Sequence, residues 1–298
     1  MIDPKAEVTY SQYNEDIILR ALFHDVKKGF YIDIGANFPT VDSVTKVFYD
    51  IGWTGINIEP LTRAYLKLKQ SRVRDVNLNL GVGSKVGVAS FREYPDLSGH
   101  STFEDSQKDA HKEKSLDYKV KLTTLNALFE TYQVKHVHFL KIDVEGYEQR
   151  VLEGNDWSKN RPEVVCIEAN HVSKDWRGVF ADHQYTLFIN DGLNEYYIAK
   201  EAQGRTEEFV ERVIRLNYHA IKQHQKEAWE GDVEESERLR KLLEDNQTLI
   251  KDVSEKLARA EQEAQLSLNG KTYRGRLKRA IYGLTIDYLR YRFPSSPK

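Results

Sequence analysis

One cysteine, one methionine and seven prolines in 298 residues put several classes of protein out of reach. Cys166 alone cannot build a disulfide framework, and its place in the apolar run VVCIE marks a buried thiol in preference to a nucleophile. A reducing compartment is therefore expected. No segment approaches the roughly 18 consecutive apolar residues of a membrane-crossing helix, and the opening MIDPKAEVTY carries neither a basic stretch nor an apolar one, so the expectation is a soluble or peripheral, cytoplasmic protein. Charge of either sign is nearly balanced, 44 basic residues against 46 acidic, which leaves no global attraction to nucleic acid. Also missing are a cysteine cluster, a glycine-rich phosphate loop and a Ser-His-acid arrangement.

What is present is enough apolar material for a core: 40% hydrophobic residues, 11% aromatic. From Tyr10 to about Lys200 short apolar runs alternate with amphipathic ones, the pattern of strands joined by crossover helices in a parallel sheet, an α/β fold. FYIDIGA, TGINIEP, DVNLNLGV, VHFLKIDVEG and EVVCIEANH read as strands. TVDSVTKVFYDIG reads as a helix capped by Asp42 or Ser43 and stopped by Gly52, and TTLNALFETY and YEQRVLEG read as further helices. QYTLFI and EYYIAK, joined by NDGLN, predict a terminal hairpin, because Asp-Gly between aromatic-rich runs is a turn signal.

Composition shifts after that. Proline is absent between Thr206 and Leu268 while Glu, Lys, Arg, Gln and Ala dominate, so long helix is expected. We divide the chain into a globular domain at 1–204, a helical linker at 205–231, a coiled-coil helix at 232–268 and a basic amphipathic tail at 269–298. The seam Leu239, Leu243, Asn246, Ile250, Val253, Leu257, Ala260 and Ala264 alternates steps of four and three, which predicts homo-oligomerisation; one amphipathic helix lying on the domain is the alternative. Residues 271–293 carry seven basic residues against one acid, with Leu277, Ile281, Leu284, Tyr288 and Tyr291 at helical spacing, which suits an anionic membrane surface. A basic helix docked on the coil is the plainer reading, and nucleic acid the weakest.

The chemistry concentrates at strand ends. A dinucleotide fingerprint needs three spaced glycines; after FYIDI only Gly35 stands, and Pro39 interferes with an immediate helix. Glu59 ends the next strand, where an acid can accept the hydroxyls of a ribose. A ribose-binding acid without a phosphate loop points to an adenosyl ligand lacking phosphates, and S-adenosylmethionine has the required diol, amine and sulfonium. Asp33 either serves that ligand or caps a turn.

YIDIGANFPTVDSVTKVFYDIGWTGINIEP, LKIDVEGYEQRVLEG and VVCIEANH, in that order and spacing, resemble the FkbM family of S-adenosylmethionine-dependent methyltransferases; SQYNEDIIL and NDGLNEYYIAK look like that family's boundaries. The resemblance implies a class I methyltransferase fold: a mostly parallel seven-stranded sheet, helices on both faces and a final antiparallel hairpin, here followed by the helical and coiled-coil extension. It implies that Asp33, Gly35 and Asn37 form the cofactor loop, that Glu59 binds the ribose, and that Gln12 lies near the methionine end and Asn79 near the adenine. It also implies O-methylation of a sugar hydroxyl.

Methyl transfer to an alcohol needs a group that takes or positions its proton, placed at the carboxyl end of a central strand. Asp143 and Glu145 in LKIDVEG share one side if the strand runs that far, with Asp143 as helix cap the alternative. His171 is the preferred base, since imidazole accepts a proton near neutral pH. Glu168, and His100 with Ser101 in the polar loop SGHSTF, are expected to contact substrate. His136 and His138 alternate with valine, but two ligands without a third do not make a metal site, so no metal is expected. The expected acceptor is a sugar or glycan of bacterial surface polysaccharide or glycolipid assembly, worked on at the inner face of the cell membrane. A catalytically silent scaffold and an N-methyltransferase acting on amino sugars are the alternatives.

Overall fold

The computed structural model describes residues 8–95, 100–103, 114–169 and 176–216. His171, the coiled-coil seam and the basic tail lie outside the described residues. Short runs that are apolar on both faces are stable as strands only when covered on both sides, and a parallel sheet supplies that cover. β1 (Phe30–Ile34), β2 (Thr54–Ile58), β3 (Val76–Leu78), β7 (Phe139–Ile142) and β8 (Val164–Glu168) form its parallel part. Every residue of β7 and β8 is buried. β9 (Tyr185–Asn190) and β10 (Asn194–Ala199) form the expected hairpin, and β10 joins β8 antiparallel. Its turn works as the Asp-Gly signal implies: Gly192 has φ 98°, and Asp191 Oδ1 accepts from the Leu193 and Asn194 amides.

The strand order is β3-β2-β1-β7-β8-β10-β9. The chain builds outward from β1 in one direction and then returns to add β7 on its other side. That reversal opens a crevice at the carboxyl ends of β1 and β7. Cover comes from α1 (Glu15–Leu22), α2 (Lys46–Asp50), α3 (Thr62–Ser71), α4 (Leu125–Thr131), α5 (Glu148–Glu153) and α6 (Arg177–Asp182). Under α2 the aromatic core is dense: Phe48 lies 4.9 Å from Trp53 and 4.8 Å from Phe139, ring centre to ring centre. Residues 209–216 are helical, as the composition of that stretch predicts.

Three expectations are corrected. The helix expected over TVDSVTKVFYDIG is confined to Lys46–Asp50. Asp42 sits at φ 55°, and the buried Arg72 guanidinium ties down the preceding loop through Pro39 O, Ser43 Oγ and Thr45 O, so these residues are committed to side-chain contacts and not to a helical turn. DVNLNLGV divides into β3 and a second short strand, β4 (Gly81–Val82), in another sheet. That second sheet has order β4-β6-β5 and was not expected: β5 (Gly87–Glu93) and β6 (Leu116–Thr123) pair antiparallel and pack Phe91, Val120 and Leu122 against Leu61, Ala64 and Phe103. Finally, VHFLKIDVEG leaves the sheet at Ile142, before its acids.

Candidate active site

At the end of β1 the chain turns sharply. Gly35 has φ 82°, and a Cβ there would overlap the backbone carbonyl oxygen of Asp143. Only glycine lets β1 and β7 approach so closely at the crevice. The Gly35 and Ala36 amides donate to Ile58 O at 3.0 and 3.2 Å, which draws the loop toward the end of β2. Glu59 completes this join, accepting from Asn37 N on Oε2 and from Leu61 N on Oε1, each at 2.7 Å. Burial pushes its carboxyl up to about 7, and the two backbone donors only partly offset that. A carboxylate has about four lone-pair directions, so two remain for a ligand facing Glu59.

The loop borders a cavity of about 660 Å³, within the range of small-molecule sites. Of the expected site residues, Gln12, Gly35, Asn37, Glu59, His100, Ser101, Asp143, Glu145 and Glu168 line it. Leu61, Leu80, Val82, Phe91 and Phe103 give it an apolar side. Two expected residues do not line it, Asp33 because it is buried beneath the loop and Asn79 because it lies on the exposed side of the Glu59 turn. Asp33 is buried, accepts from Thr45 Oγ1 at 2.8 Å and is pushed by burial up to about 6, so it organises the loop from beneath. Asn79 donates to Glu59 O and Pro60 O at 2.9 Å and so fixes the turn that carries Glu59.

Across the crevice stand three acids. β7 has ended, yet Glu145 at φ 53° and Gly146 at φ 96° form a turn whose Val144 and Gly146 amides donate to Glu148 Oε1. The turn brings carboxylate oxygens of Asp143, Glu145 and Glu168 within 4.8 Å of one another. Asp143 does not cap the helix, which begins at Glu148; its Oδ2 accepts from Lys141 Nζ at 3.1 Å. Burial and then repulsion from Asp143 and Glu145 raise the Glu168 carboxyl far above the usual carboxylate range, so it holds a proton at neutral pH. His100 Nδ1 lies 4.0 Å from Glu145 Oε2 at the more exposed side of the cavity.

Oxygen ligands of this kind suit a hard divalent cation, but the Lys141 ammonium and the proton on Glu168 already neutralise part of the cluster. At the far end of the sheet Glu163 supplies the third group that His136 and His138 lacked. There the His138 Nδ1 lone pair takes the Phe30 amide at 3.0 Å, His136 Nε2 lies 2.8 Å from Glu163 Oε1, and Arg205 binds the other Glu163 oxygen. With its Nδ1 lone pair used, the neutral His138 ring carries its proton on Nε2 and has no lone pair left for a metal.

The stretch that carries this crevice, the glycine turn and the acid closing β2 also matches a known family. The family model described as the Methyltransferase FkbM domain covers residues 33–196, more than half of the chain, from Asp33 in β1 to Tyr196 in β10. The chain belongs to the FkbM methyltransferase family. No curated protein matches it.

Three polar residues escape the sequence reading: Lys141 within β7 and Asn194 in β10, both inside the FkbM match, and Glu15 in α1 ahead of it, all buried and hydrogen-bonded in a row. One signal was available. A lysine inside FLKI, a strand buried on both faces, has to find a counter-charge.

Proposed function

We propose that the cavity binds S-adenosylmethionine and that the domain transfers its methyl group to a hydroxyl of a sugar or glycan. One observation carries the cofactor assignment: Glu59, held by the Asn37 and Leu61 amides, lines a cavity that Gly35 also borders, with no glycine-rich phosphate cradle beside it. An adenosyl ligand without phosphates fits those residues. Its ribose hydroxyls would donate to Glu59, its adenine would lie against Leu61 and Leu80, and its amino acid end would lie toward Gln12 and the acids. Bound there, it supplies an electrophilic methyl carbon.

This chain's residues would then do three things. Asp143 and Glu145 favour positive charge near the transferred group. Glu168, protonated, donates a hydrogen bond and keeps the cluster from excess charge. The acceptor oxygen would bond to the methyl carbon as the sulfonium–methyl bond breaks to leave the thioether, and the hydroxyl's proton would pass to the Glu145 carboxylate, which lies on the side nearer His100. His100 and Ser101 would orient the acceptor.

Calorimetry with S-adenosylmethionine and S-adenosylhomocysteine tests the first half. Micromolar binding of either supports it; binding of neither leaves a catalytically silent scaffold. Mass spectrometry of the host's surface glycan with and without the protein tests the second, a lost methyl increment being the expected result. The acid cluster also favours a cationic acceptor, so an amino sugar modified where neutral sugars are not would shift the reaction to N-methylation. From residues 232–268 and 271–293 as sequence we further propose self-association and attachment to anionic lipid. Undiminished liposome flotation of a chain ending before Lys271 would reject the second of these.

A further inference from the structure

Lys141 is 3% exposed, in the middle of the sheet. Its ammonium donates to Asp143 Oδ2 and to Asn194 Oδ1, each at 3.1 Å. Asn194, fully buried, passes the chain on: its Nδ2 donates to Glu15 Oε1 at 3.3 Å, and Glu15 Oε2 accepts from Tyr13 N at 2.8 Å. Gln12, Tyr13 and Glu15 line the cavity, and Asn14 between them sits at φ 65°, a turned conformation that something must hold. A row of hydrogen bonds thus runs behind the cavity from the end of β7, through β10, to the segment before α1.

A buried lysine is a poor way to stabilise a sheet. Removing an ammonium from water is costly, and an apolar side chain of similar volume, well packed, is often as stable or more so. The flanking residues of β7, Leu140 and Ile142, are such side chains. A cation at this position is explained by what it orients.

We propose that Lys141 is a positioning residue that holds the Asp143 carboxylate and, through Asn194 and Glu15, the Gln12–Tyr13 edge as one frame around the cofactor, an inference that rests on the cofactor assignment above. The titratable groups facing the ammonium are Asp143 after β7, Glu15 of α1, the Cys166 thiol and Glu168 of β8, and Asp33 of β1. Burial alone would lower its proton affinity; these groups outweigh burial and hold the lysine charged throughout the physiological range. Loss of the ammonium therefore does two separable things. It frees the edge, and it raises the proton affinity of the neighbouring acids.

The test uses the full chain with Lys141→Met and, as a second variant that keeps the lysine, Asn194→Leu. Hydrogen exchange at the Gln12–Asn14 amides is read together with calorimetric affinity for S-adenosylmethionine from pH 5.5 to 8.5. In both variants these amides should exchange about tenfold or more faster while those of α4 stay at the wild-type rate, and affinity should fall about tenfold. In Lys141→Met the acid-side midpoint of binding should also move upward by about one pH unit; in Asn194→Leu it should not. A folded Lys141→Met with wild-type exchange at Gln12–Asn14 and a wild-type pH profile overturns the proposal. If that variant does not fold, unchanged exchange in Asn194→Leu overturns it equally. Should the wild-type chain bind neither cofactor nor its thioether product, the cofactor assignment fails by itself, and the exchange comparison still decides whether Lys141 holds the edge.

Discussion

The two ends of the same parallel strands treat charge in opposite ways. At the amino ends of β1, β7 and β8 each polar group meets a complement: His138 takes the Phe30 amide, His136 faces Glu163, Glu163 binds Arg205, and Arg205 reaches Asp25 at 2.8 Å. At the carboxyl ends Asp33, Asp143 and Glu168 gather around one buried lysine, and Glu59, Asp143, Glu145 and Glu168 line a cavity of about 660 Å³. The strands and their burial are common to both ends. Paired groups make a closed structural end, whereas acids left in excess, several with raised proton affinity, prepare a site for a ligand that donates hydrogen bonds or carries positive charge.

The sharpest way to break this comparison is at Gly35. Gly35→Ala meets both a left-handed backbone and the Asp143 carbonyl, so β1 and β7 must separate at the crevice. We expect destabilisation of about 2–4 kcal/mol and loss of cofactor affinity by about a hundredfold or more, checked by thermal melting and calorimetry. An alanine variant that binds normally would mean the close approach has no part in the site.

Glu59→Ala comes next. It removes two backbone hydrogen bonds and the acceptor we propose for the ribose, so affinity should fall by about ten- to a hundredfold, with about 1–3 kcal/mol of stability lost. If binding falls no more than stability explains, the acid serves the loop alone.

Titration sharpens the contrast without any substitution. Glu59 is raised from an ordinary 4.5 to about 7 and Asp33 from 3.8 to about 6, both by burial. Between the ordinary and raised values the folded protein binds more protons than the unfolded one, so these groups stabilise the ligand-free fold at low pH and that stability is lost as pH rises toward 7. Cofactor affinity should run the other way, rising toward pH 7 as Glu59 ionises and becomes the better acceptor. Opposite slopes in melting and calorimetry across pH 5–8 are expected; parallel slopes would remove Glu59 from the binding step.

How far the chain alone disclosed this arrangement depends on distance along it. FYIDI and TGINI announce their strands because burial on both faces leaves no other use for such short apolar runs, and Gly35 and Glu59 follow as the residues that end them. Convergence of Asp143 and Glu145 was anticipated from strand alternation, but it arises from a left-handed turn at Glu145–Gly146 after the strand has stopped. Arg72 shortens α2 through a loop some thirty residues earlier, and Lys141 finds its meaning only beside Asn194 and Glu15, which are 179 residues apart. β5 and β6 recognise each other across a long connection. Local pattern cannot display partners that only the folded sheet brings together.

The smallest expected effect lies at the closed end. Glu163→Gln removes the carboxylate that Arg205 and His136 share, in a half-buried setting where the arginine keeps Asp25 as a second partner. We expect about 1 kcal/mol of lost stability, since one partner of a partly buried network is removed while water can reach the rest. His136→Ala should cost less still, because that ring is 57% exposed. Neither change should move cofactor affinity or its pH dependence, since the strands themselves separate this end from the cavity. A shift in either would show that the two ends are coupled through β7 and β8, and that pairing at one end helps set the excess of acid at the other.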